Sequence, residues 1–294
     1  MITVPGKKFG RHPGEEGQTN SEGDIEPVYL FLHMPKCAGT TFRVHIENNL
    51  SQDEILPLYV DKDKNYRDRD YVREYITSLP EDKKRNLKLV YGHEVHYGIH
   101  DWLGRQGRYF TFLRHPMPRT ISWYNYRRQR NWVDKEVIRK FIDKGITPTL
   151  EQWLENSPWV WNEMTGYFAD FGYCERKDRY NETDLDRILD IFFFIGLTDT
   201  FDEDALFLYS LLGVKKIFFR SQNISKKYFD PRQAEDVKSA VLAKNKFDLG
   251  IYSKAMKLHN IMTSSDTSYR RNIFRMRLRR TVAPILRRLN KLIS

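Results

Sequence analysis

The segment Val28-Tyr-Leu-Phe-Leu-His33-Met-Pro-Lys36-Cys-Ala-Gly39-Thr40-Thr41-Phe42 decides the fold of this chain. Its apolar first part is typical of a buried β-strand, and two threonines open a helix after a short loop with proline, lysine and glycine. In such a loop the main-chain amides and the helix N-terminus converge on an anion, and the lysine adds positive charge. The segment therefore predicts a phosphate-binding loop. Because the lysine precedes the glycine, the loop is not a Walker A sequence.

Strands and helices alternate along the rest of the chain. We expect strands at residues 28–34, 87–92, 108–113, 192–198 and 215–220, and helices at residues 40–50, 68–78, 117–129, 149–155, 201–212 and 232–244. This alternation is typical of an α/β fold with a parallel sheet, whose ligands bind at the carboxyl ends of the strands. No internal repeat is present.

The positive charge of the chain is concentrated near its C-terminal end. The net charge is +10, yet residues 270–294 alone contain nine Lys or Arg and no acid, so the rest is nearly neutral. We predict a flexible lead-in at 1–26, one large domain at 27–262 and a basic amphipathic tail at 263–294. The tail has three candidate roles: contact with an anionic membrane, binding of an anionic polymer, or packing on the body. We favour the first two.

Targeting and redox signals are sparse. The polar first 27 residues predict no signal peptide, and no 18-residue apolar run predicts a transmembrane helix. We therefore expect a cytoplasmic protein, which would attach peripherally to the inner face of a membrane if membrane contact is the role of the tail. Only two cysteines occur, Cys37 and Cys174, so neither a structural disulfide nor a thiolate zinc site is expected.

A second anion site is predicted after the 108–113 strand. Arg114 follows that strand directly, and Ser122 lies two turns into the next helix, so that a guanidinium and a hydroxyl could hold one phosphate. Arg119, Arg127 and Arg128 are expected to line a solvated face of the same helix.

Three histidines, His93, His96 and His100, occur within eight residues between the two anion sites. Their spacing raises two hypotheses, a metal site or a general base, and a third in which they are ordinary loop residues. Gly92 and Gly98 disfavour the regular helix that metal chelation at this spacing needs, so no metal is expected. A neutral imidazole held by a partner suits a base.

Two motifs resemble the sulfotransferases that use 3′-phosphoadenosine 5′-phosphosulfate (PAPS), in particular the carbohydrate branch with the heparan sulfate 2-O- and 6-O-sulfotransferases. His33-Met-Pro-Lys36-Cys-Ala-Gly39-Thr40-Thr41-Phe42 is similar to that family's 5′-phosphosulfate loop. Leu113-Arg114-His115-Pro116 through Arg119 and Ser122-x-Tyr124 is similar to its 3′-phosphate signature. Two further segments, Phe194 to Asp202 and Asn245 to Ala255, extend the resemblance over roughly residues 27–258.

The resemblance implies a P-loop-containing three-layer α/β/α sandwich with a central parallel sheet, and sulfuryl transfer from PAPS to a carbohydrate hydroxyl without a metal. It implies that Lys36 stabilises the leaving phosphate and that a histidine removes the acceptor proton, with His93 slightly favoured over His100. Donor binding is implied for Pro35, Lys36, Ala38, Gly39, Thr40, Thr41, Phe42, Arg114 and Ser122. No nucleic acid partner is expected, and the sequence carries no signal for an oligomeric state.

Two positions depart from the family pattern. Cys37 stands where threonine is usual, so one hydroxyl contact is missing, and His115 stands where aspartate is usual. Elsewhere, a group of tryptophans could stack on sugar rings, although large aromatic side chains are more often part of a core. The group consists of Trp132, Trp153, Trp159 and Trp161.

Two other functions compete with this interpretation. A small-molecule kinase with a P-loop would need Mg²⁺ and an acidic residue to hold it after a strand, and no convincing candidate appears. A non-enzymatic binder of anionic polymer through the tail would leave the two phosphate motifs unexplained.

Overall fold

The computed structural model describes residues 26–59, 66–131, 135–173, 182–215 and 226–265, together with residues 267, 269–271, 273–274 and 277. The strands are β1 (Val28–Leu32), β2 (Ile55–Leu58), β3 (Leu89–Gly92), β4 (Gly107–Leu113) and β5 (Phe194–Leu197). The α-helices are α1 (Gly39–Glu47), α2 (Arg69–Thr77), α3 (Glu81–Asn86), α4 (Ile99–Trp102), α5 (Pro116–Gln129), α6 (Lys135–Ile142), α7 (Leu150–Glu155), α8 (Glu163–Phe168), α9 (Glu182–Ile191), α10 (Phe201–Leu211), α11 (Ala234–Lys244) and α12 (Lys246–Ser265). Short 3₁₀ segments lie at Pro158–Val160, Thr198–Thr200 and Pro231–Gln233, and a π-helical turn at Ala169–Tyr173.

The strands form a parallel sheet in the order β2-β3-β1-β4-β5. After β1 the chain builds one side of the sheet with β2 and β3, and then crosses to the other side with β4 and β5. The strand order therefore reverses next to β1. In open parallel sheets, ligands bind in the crevice that such a reversal leaves at the carboxyl ends of the strands.

Helices cover both faces of the sheet, which gives the predicted three layers. Neighbouring residues of β4 point to opposite faces. On one face, Phe42 of α1 packs 5.5 Å from Phe110 between ring centroids and stacks 5.1 Å from Tyr209 of α10. On the other, Phe171 packs 5.2 Å from Tyr109. Because both faces of the sheet are covered by apolar side chains, the strands consist almost entirely of hydrophobic residues. The predicted α/β class, with a central parallel sheet between helices, is confirmed.

Most predicted elements are present, with one strand that the sequence did not predict. The predicted helices correspond to α1, α2, α5, α7, α10 and α11, and four predicted strands to β1, β3, β4 and β5. The missed strand is β2, a four-residue edge strand that contains the exposed Pro57. Proline is tolerated at a sheet edge, where its missing N–H costs no ladder bond. The strand predicted at 215–220 lies almost wholly outside the described residues.

The tryptophan group belongs to a second hydrophobic cluster. Trp153 is buried there, and Trp159 and Trp161 pack against the same cluster from partly exposed positions. Trp159 lies 5.3 Å from Trp123 of α5 in an edge contact. The interpretation of these rings as core is confirmed for Trp153, whereas Trp159 and Trp161 lie at the edge of the cluster and Trp132 lies outside the described residues.

The last described residues continue the body. Helix α12 runs to Ser265, so the predicted domain boundary at 262 falls inside a helix. Beyond it, the side chains of Tyr269 and Ile273 are buried, and Tyr269 donates a 2.7 Å hydrogen bond to Asp204. Arg277 pairs with Glu203 at the surface. The first part of the predicted tail therefore packs on the domain, and residues 278–294 fall outside the described part.

Candidate active site

The loop after β1 has the backbone of an anion cradle. Lys36 and Ala38 both adopt left-handed conformations, with φ of 64° and 63°. For non-glycine residues this conformation costs about 1–2 kcal/mol each, and it turns successive main-chain N–H groups to one side. Ala38 is the residue before α1, and no side chain caps the first amides of this helix. The loop and the helix together therefore present N–H groups and a positive dipole to an anion.

Gly39 is required where the loop meets the helix. A Cβ atom added there would lie 2.1 Å from Cδ2 of His33, which is closer than any real contact. We expect Gly39→Ala to lower the free energy of unfolding by about 1–3 kcal/mol, because the buried His33 ring has to move. Denaturant titration measures this.

Gly166 provides the matched control for that substitution. It lies inside α8, and a Cβ added there meets nothing within 4 Å. Gly166→Ala should therefore leave the stability unchanged or raise it by up to about 1 kcal/mol. Equal stabilities for the two variants would contradict the proposed contact between Gly39 and His33.

One cavity of about 730 Å³ lies at the carboxyl ends of β1, β3, β4 and β5. Of the residues predicted from the sequence, those that line it are Pro35, Lys36, Ala38, Gly39, Thr40, Thr41, His93, Arg114 and Ser122. The two predicted anion sites thus share one cavity. Phe42 does not line it, because its side chain is fully buried between Phe31 and Phe110.

Lys36 and Arg114 put a dense positive charge in this cavity. Nη1 of Arg114 donates a 3.3 Å hydrogen bond to the carbonyl oxygen of Lys36, which joins the two loops. Burial and then the nearby Arg114, Arg127 and Arg119 lower the pKa of Lys36 to about 8. Its ammonium lies 4.0 Å from the ring centre of Tyr126. Among the described residues Lys36 forms no ion pair with a carboxylate, so an anionic ligand would relieve this repulsion.

His93 has the geometry of a general base. Its Nδ1 lies 2.5 Å from the main-chain oxygen of His33. A carbonyl can only accept, so Nδ1 carries the proton and Nε2 of the neutral ring keeps a free lone pair. Burial lowers the pKa of His93, which keeps the ring neutral near pH 7. Gly92, just before His93, lets the backbone pass close to β2, because a Cβ added at Gly92 would lie 1.8 Å from the main-chain oxygen of Leu58.

The other two histidines lie apart from the cavity. Nδ1 of His100 is 2.9 Å from the hydroxyl of Tyr109, and its Nε2 lies 3.4 Å from Asp101. His96 is buried against Trp102, and burial lowers its pKa to about 4. Neither residue lines the cavity.

Arg119 corrects an expectation from the sequence. It was predicted on a solvated helix face, but its side chain is 1% exposed and pairs with Glu163 and with Asp248, whose carboxylate lies 3.5 Å away. Asp248 also accepts hydrogen bonds from the amide of Thr165 at 2.8 Å and its hydroxyl at 2.7 Å. This buried network ties α5 to α8 and α12. Arg119 therefore supports the site rather than facing it.

The two departures from the family pattern have physical explanations. The side chain of Cys37 is fully buried, and burial raises the pKa of its thiol to about 11, so it packs inward as a neutral group. His115 precedes α5, and its Nδ1 accepts a 3.2 Å hydrogen bond from the amide of Met117. It therefore caps the helix, a role for which aspartate is commonly used.

Lys227 and Phe229 are among the cavity residues that were not predicted from the sequence. Their segment is held by Asn125 of α5, whose side-chain oxygen accepts hydrogen bonds from the amides of Tyr228 and Phe229, both at 3.0 Å. The partners are about 100 residues apart, so no local pattern connects them. In the sequence, the feature that could have indicated this contact is the polar Asn125 between the aromatic residues of the predicted helix.

The described residues contain neither a cluster of metal ligands nor a helix that could span a membrane. In this part of the chain, no three His, Cys, Asp or Glu side chains meet where they could hold a metal ion. None of its helices combines the length and the apolar character needed to cross a bilayer.

The chain was also compared with known proteins. The model of the sulfotransferase family matches residues 26–246. A crystal structure of a sulfotransferase from Alicyclobacillus acidocaldarius is similar at 14% identity, with a TM-score of 0.39, over 83% of this chain and 99% of that one. No curated protein matches the sequence. Because the family model covers most of the chain, this protein belongs to the sulfotransferase family.

Proposed function

We propose that this protein transfers the sulfuryl group of PAPS to a hydroxyl of a carbohydrate acceptor, with His93 as the base. The observation that carries the proposal is that Lys36, Arg114 and His93 line one cavity. A donor with phosphate at both ends of an adenosine needs two anion sites, and the loops after β1 and β4 supply them. The volume of the cavity is within the usual range for a nucleotide-sized ligand.

Each residue then has a defined part in an in-line displacement. The acceptor oxygen forms a bond to sulfur while the bond from sulfur to the 5′-phosphate oxygen breaks. Nε2 of His93 takes the hydroxyl proton, and Lys36 stabilises the charge that develops on the leaving oxygen. The loop amides and Thr40 and Thr41 hold the 5′-phosphate, and Arg114 and Ser122 hold the 3′-phosphate.

The test is transfer of ³⁵S-sulfate from PAPS to a panel of neutral and acidic glycans and glycolipids. We expect label in at least one carbohydrate, with equal rates in the presence and absence of EDTA. ATP labelled at the γ-phosphate should give no transfer. Transfer from ATP that EDTA abolishes would support a kinase and refute the proposal.

The pKa of Lys36 predicts how donor binding depends on pH. An anion in the cavity favours the protonated lysine, so the pKa of Lys36 rises on binding from about 8 in the free protein. The affinity for the product, adenosine 3′,5′-bisphosphate, should be nearly constant between about pH 7 and pH 8 and fall above pH 8 by up to about tenfold per pH unit. Isothermal titration at pH 7 and pH 9 measures this. In Lys36→Met the dependence should disappear, and an unchanged dependence in this variant would assign it to another group.

The basic tail remains a candidate for contact with an anionic membrane or polymer. Because Ile273 is buried in the body, the useful truncation removes residues 278–294 rather than the whole tail. We expect this truncation to reduce binding to liposomes with anionic lipid while the unfolding temperature stays the same. Undiminished binding would place the contact elsewhere.

A further inference from the structure

The imidazole of His33 also faces the cavity beside the loop. The ring stacks on Phe31 with centroids 5.5 Å apart. Its Nε2 edge lies against Gly39, where an added Cβ would be 2.4 Å from that nitrogen. Nε2 of His33 has no hydrogen-bond partner among the described residues. This nitrogen is therefore placed at the N-terminus of α1, where the loop amides converge.

Tyr59, which follows β2, holds the other nitrogen of that ring. Its hydroxyl lies 2.6 Å from Nδ1 of His33. The guanidinium of Arg43 lies over the same residue, with its central carbon 5.2 Å from the centre of the tyrosine ring. Nδ1 of His33 is the one hydrogen-bond partner of this hydroxyl among the described residues, and it accepts the hydroxyl proton when it carries no proton itself. The reverse arrangement would leave that proton without an acceptor among the described residues.

We propose that Tyr59 fixes His33 in the tautomer with its proton on Nε2, and that His33 donates a hydrogen bond from Nε2 to an oxygen of the sulfuryl group or of the 5′-phosphate. The nature of the ligand rests on the proposed function, whereas the tautomer does not. Burial and the neighbouring His93 hold the pKa of His33 well below its ordinary value, so the donor is a neutral ring. No bond is made or broken at His33, and its proton stays in place.

The two neighbouring histidines then have complementary roles. Their ring centroids are 4.6 Å apart, and the main-chain oxygen of His33 accepts from Nδ1 of His93. His93 presents a lone pair at Nε2, and His33 presents a proton at the same position of its ring. One ring is thereby suited to remove a proton and the other to stabilise negative charge. Tyr59 acts through His33 and is a positioning residue.

The tautomer can be observed directly in the full chain. Two-bond ¹H–¹⁵N spectra of ¹⁵N-histidine-labelled protein distinguish the two neutral tautomers, and His33→Gln identifies the His33 signal. We expect the Nε2–H form in the unmodified protein and a mixture of forms in Tyr59→Phe. Tyr91→Phe is the matched control, because its hydroxyl belongs to the same aromatic cluster but donates to Glu47 at 2.7 Å. An Nδ1–H tautomer in the unmodified protein would overturn the proposal.

Kinetics test what the donor does. We expect His33→Ala to lower kcat by about 10²-fold, as removal of one such donor usually does, and His33→Gln to retain more activity because its amide can donate. Tyr59→Phe should lower kcat while the affinity for 3′,5′-bisphosphate and the unfolding temperature change little. Full activity in both Tyr59→Phe and Tyr91→Phe would overturn the positioning role.

Titration with 3′,5′-bisphosphate separates this proposal from the proposed function. We expect the Nε2–H signal of His33 to shift on binding, and no shift at saturation would refute the contact. If the unmodified protein transfers nothing from PAPS, the donor assignment fails. The tautomer and its dependence on Tyr59 are still tested by the spectra, with inorganic sulfate as the anion probe.

Discussion

Replacement of Lys36 by methionine should lower kcat by about 10²–10³-fold at saturating PAPS. The side chain is placed by a left-handed backbone at φ 64° and by the ring of Tyr126, 4.0 Å from the ammonium. In the proposed mechanism its charge acts on an oxygen that becomes more negative only as the bond to sulfur breaks. The loss should therefore fall mainly on kcat, and the dissociation constant of 3′,5′-bisphosphate should change less. Single-turnover transfer together with titration calorimetry separates the two.

Two further variants make this experiment specific. Lys36→Arg keeps the charge but replaces a compact ammonium by a wider planar group, so it should restore only part of kcat. Lys88→Met removes a lysine at the opposite end of β3, where it pairs with Glu54 at 2.6 Å, and should leave kcat unchanged. A Lys36→Met enzyme within threefold of the unmodified kcat would exclude Lys36 from the transition state.

The strand, loop and helix of the proposed phosphate site could be predicted from the sequence because their determinants are local. The strand, the lysine and the helix start all lie between Val28 and Phe42, and the parallel sheet places the loop after β4 beside them. The backbone of the loop was not predictable in the same way. Nothing in the residue types of Lys36 and Ala38 favours a left-handed conformation, which the surrounding structure imposes.

Contacts between distant parts of the chain account for what the sequence did not show. Arg119 lies in a polar, aromatic helix and resembles a surface arginine until Glu163 and Asp248 are seen beside it, 44 and 129 positions further along the chain. The edge strand β2 was missed because Pro57 interrupts a four-residue run and weakens its strand signal. Its position matters, since β2 delivers Tyr59 to the cluster around His33.

The three histidines between Gly92 and Trp102 could not be ranked from spacing alone. All three follow the same strand, and each has polar neighbours in sequence. The fold separates them: His93 reaches the cavity at the end of β3, whereas His100 turns back on Tyr109 through α4. A tertiary feature, the hydrogen bond from Nδ1 of His93 to the carbonyl of His33, also sets which nitrogen can act as a base.

Replacement of His93 by alanine should lower kcat by about 10²–10⁴-fold, the usual contribution of a positioned base. Binding of 3′,5′-bisphosphate should persist, because Lys36 and Arg114 are untouched. His100→Gln is the matched comparison: it removes an imidazole from the same segment and should lower stability, through the lost contact with Tyr109, more than kcat. If His93→Ala keeps the unmodified transfer rate with donor binding intact, the assignment to His93 fails.

The dependence of kcat/KM on pH distinguishes the two histidines more sharply than the rates. The base acts only when neutral, so activity is lost as the pH falls through its pKa. Burial lowers the pKa of His93 below the ordinary value, and the acid limb should accordingly lie below that of an exposed histidine. In His93→Ala the residual activity should lose this limb, whereas His100→Gln should keep it at the same pH. An acid limb that vanishes in His100→Gln and survives in His93→Ala would reverse the assignment.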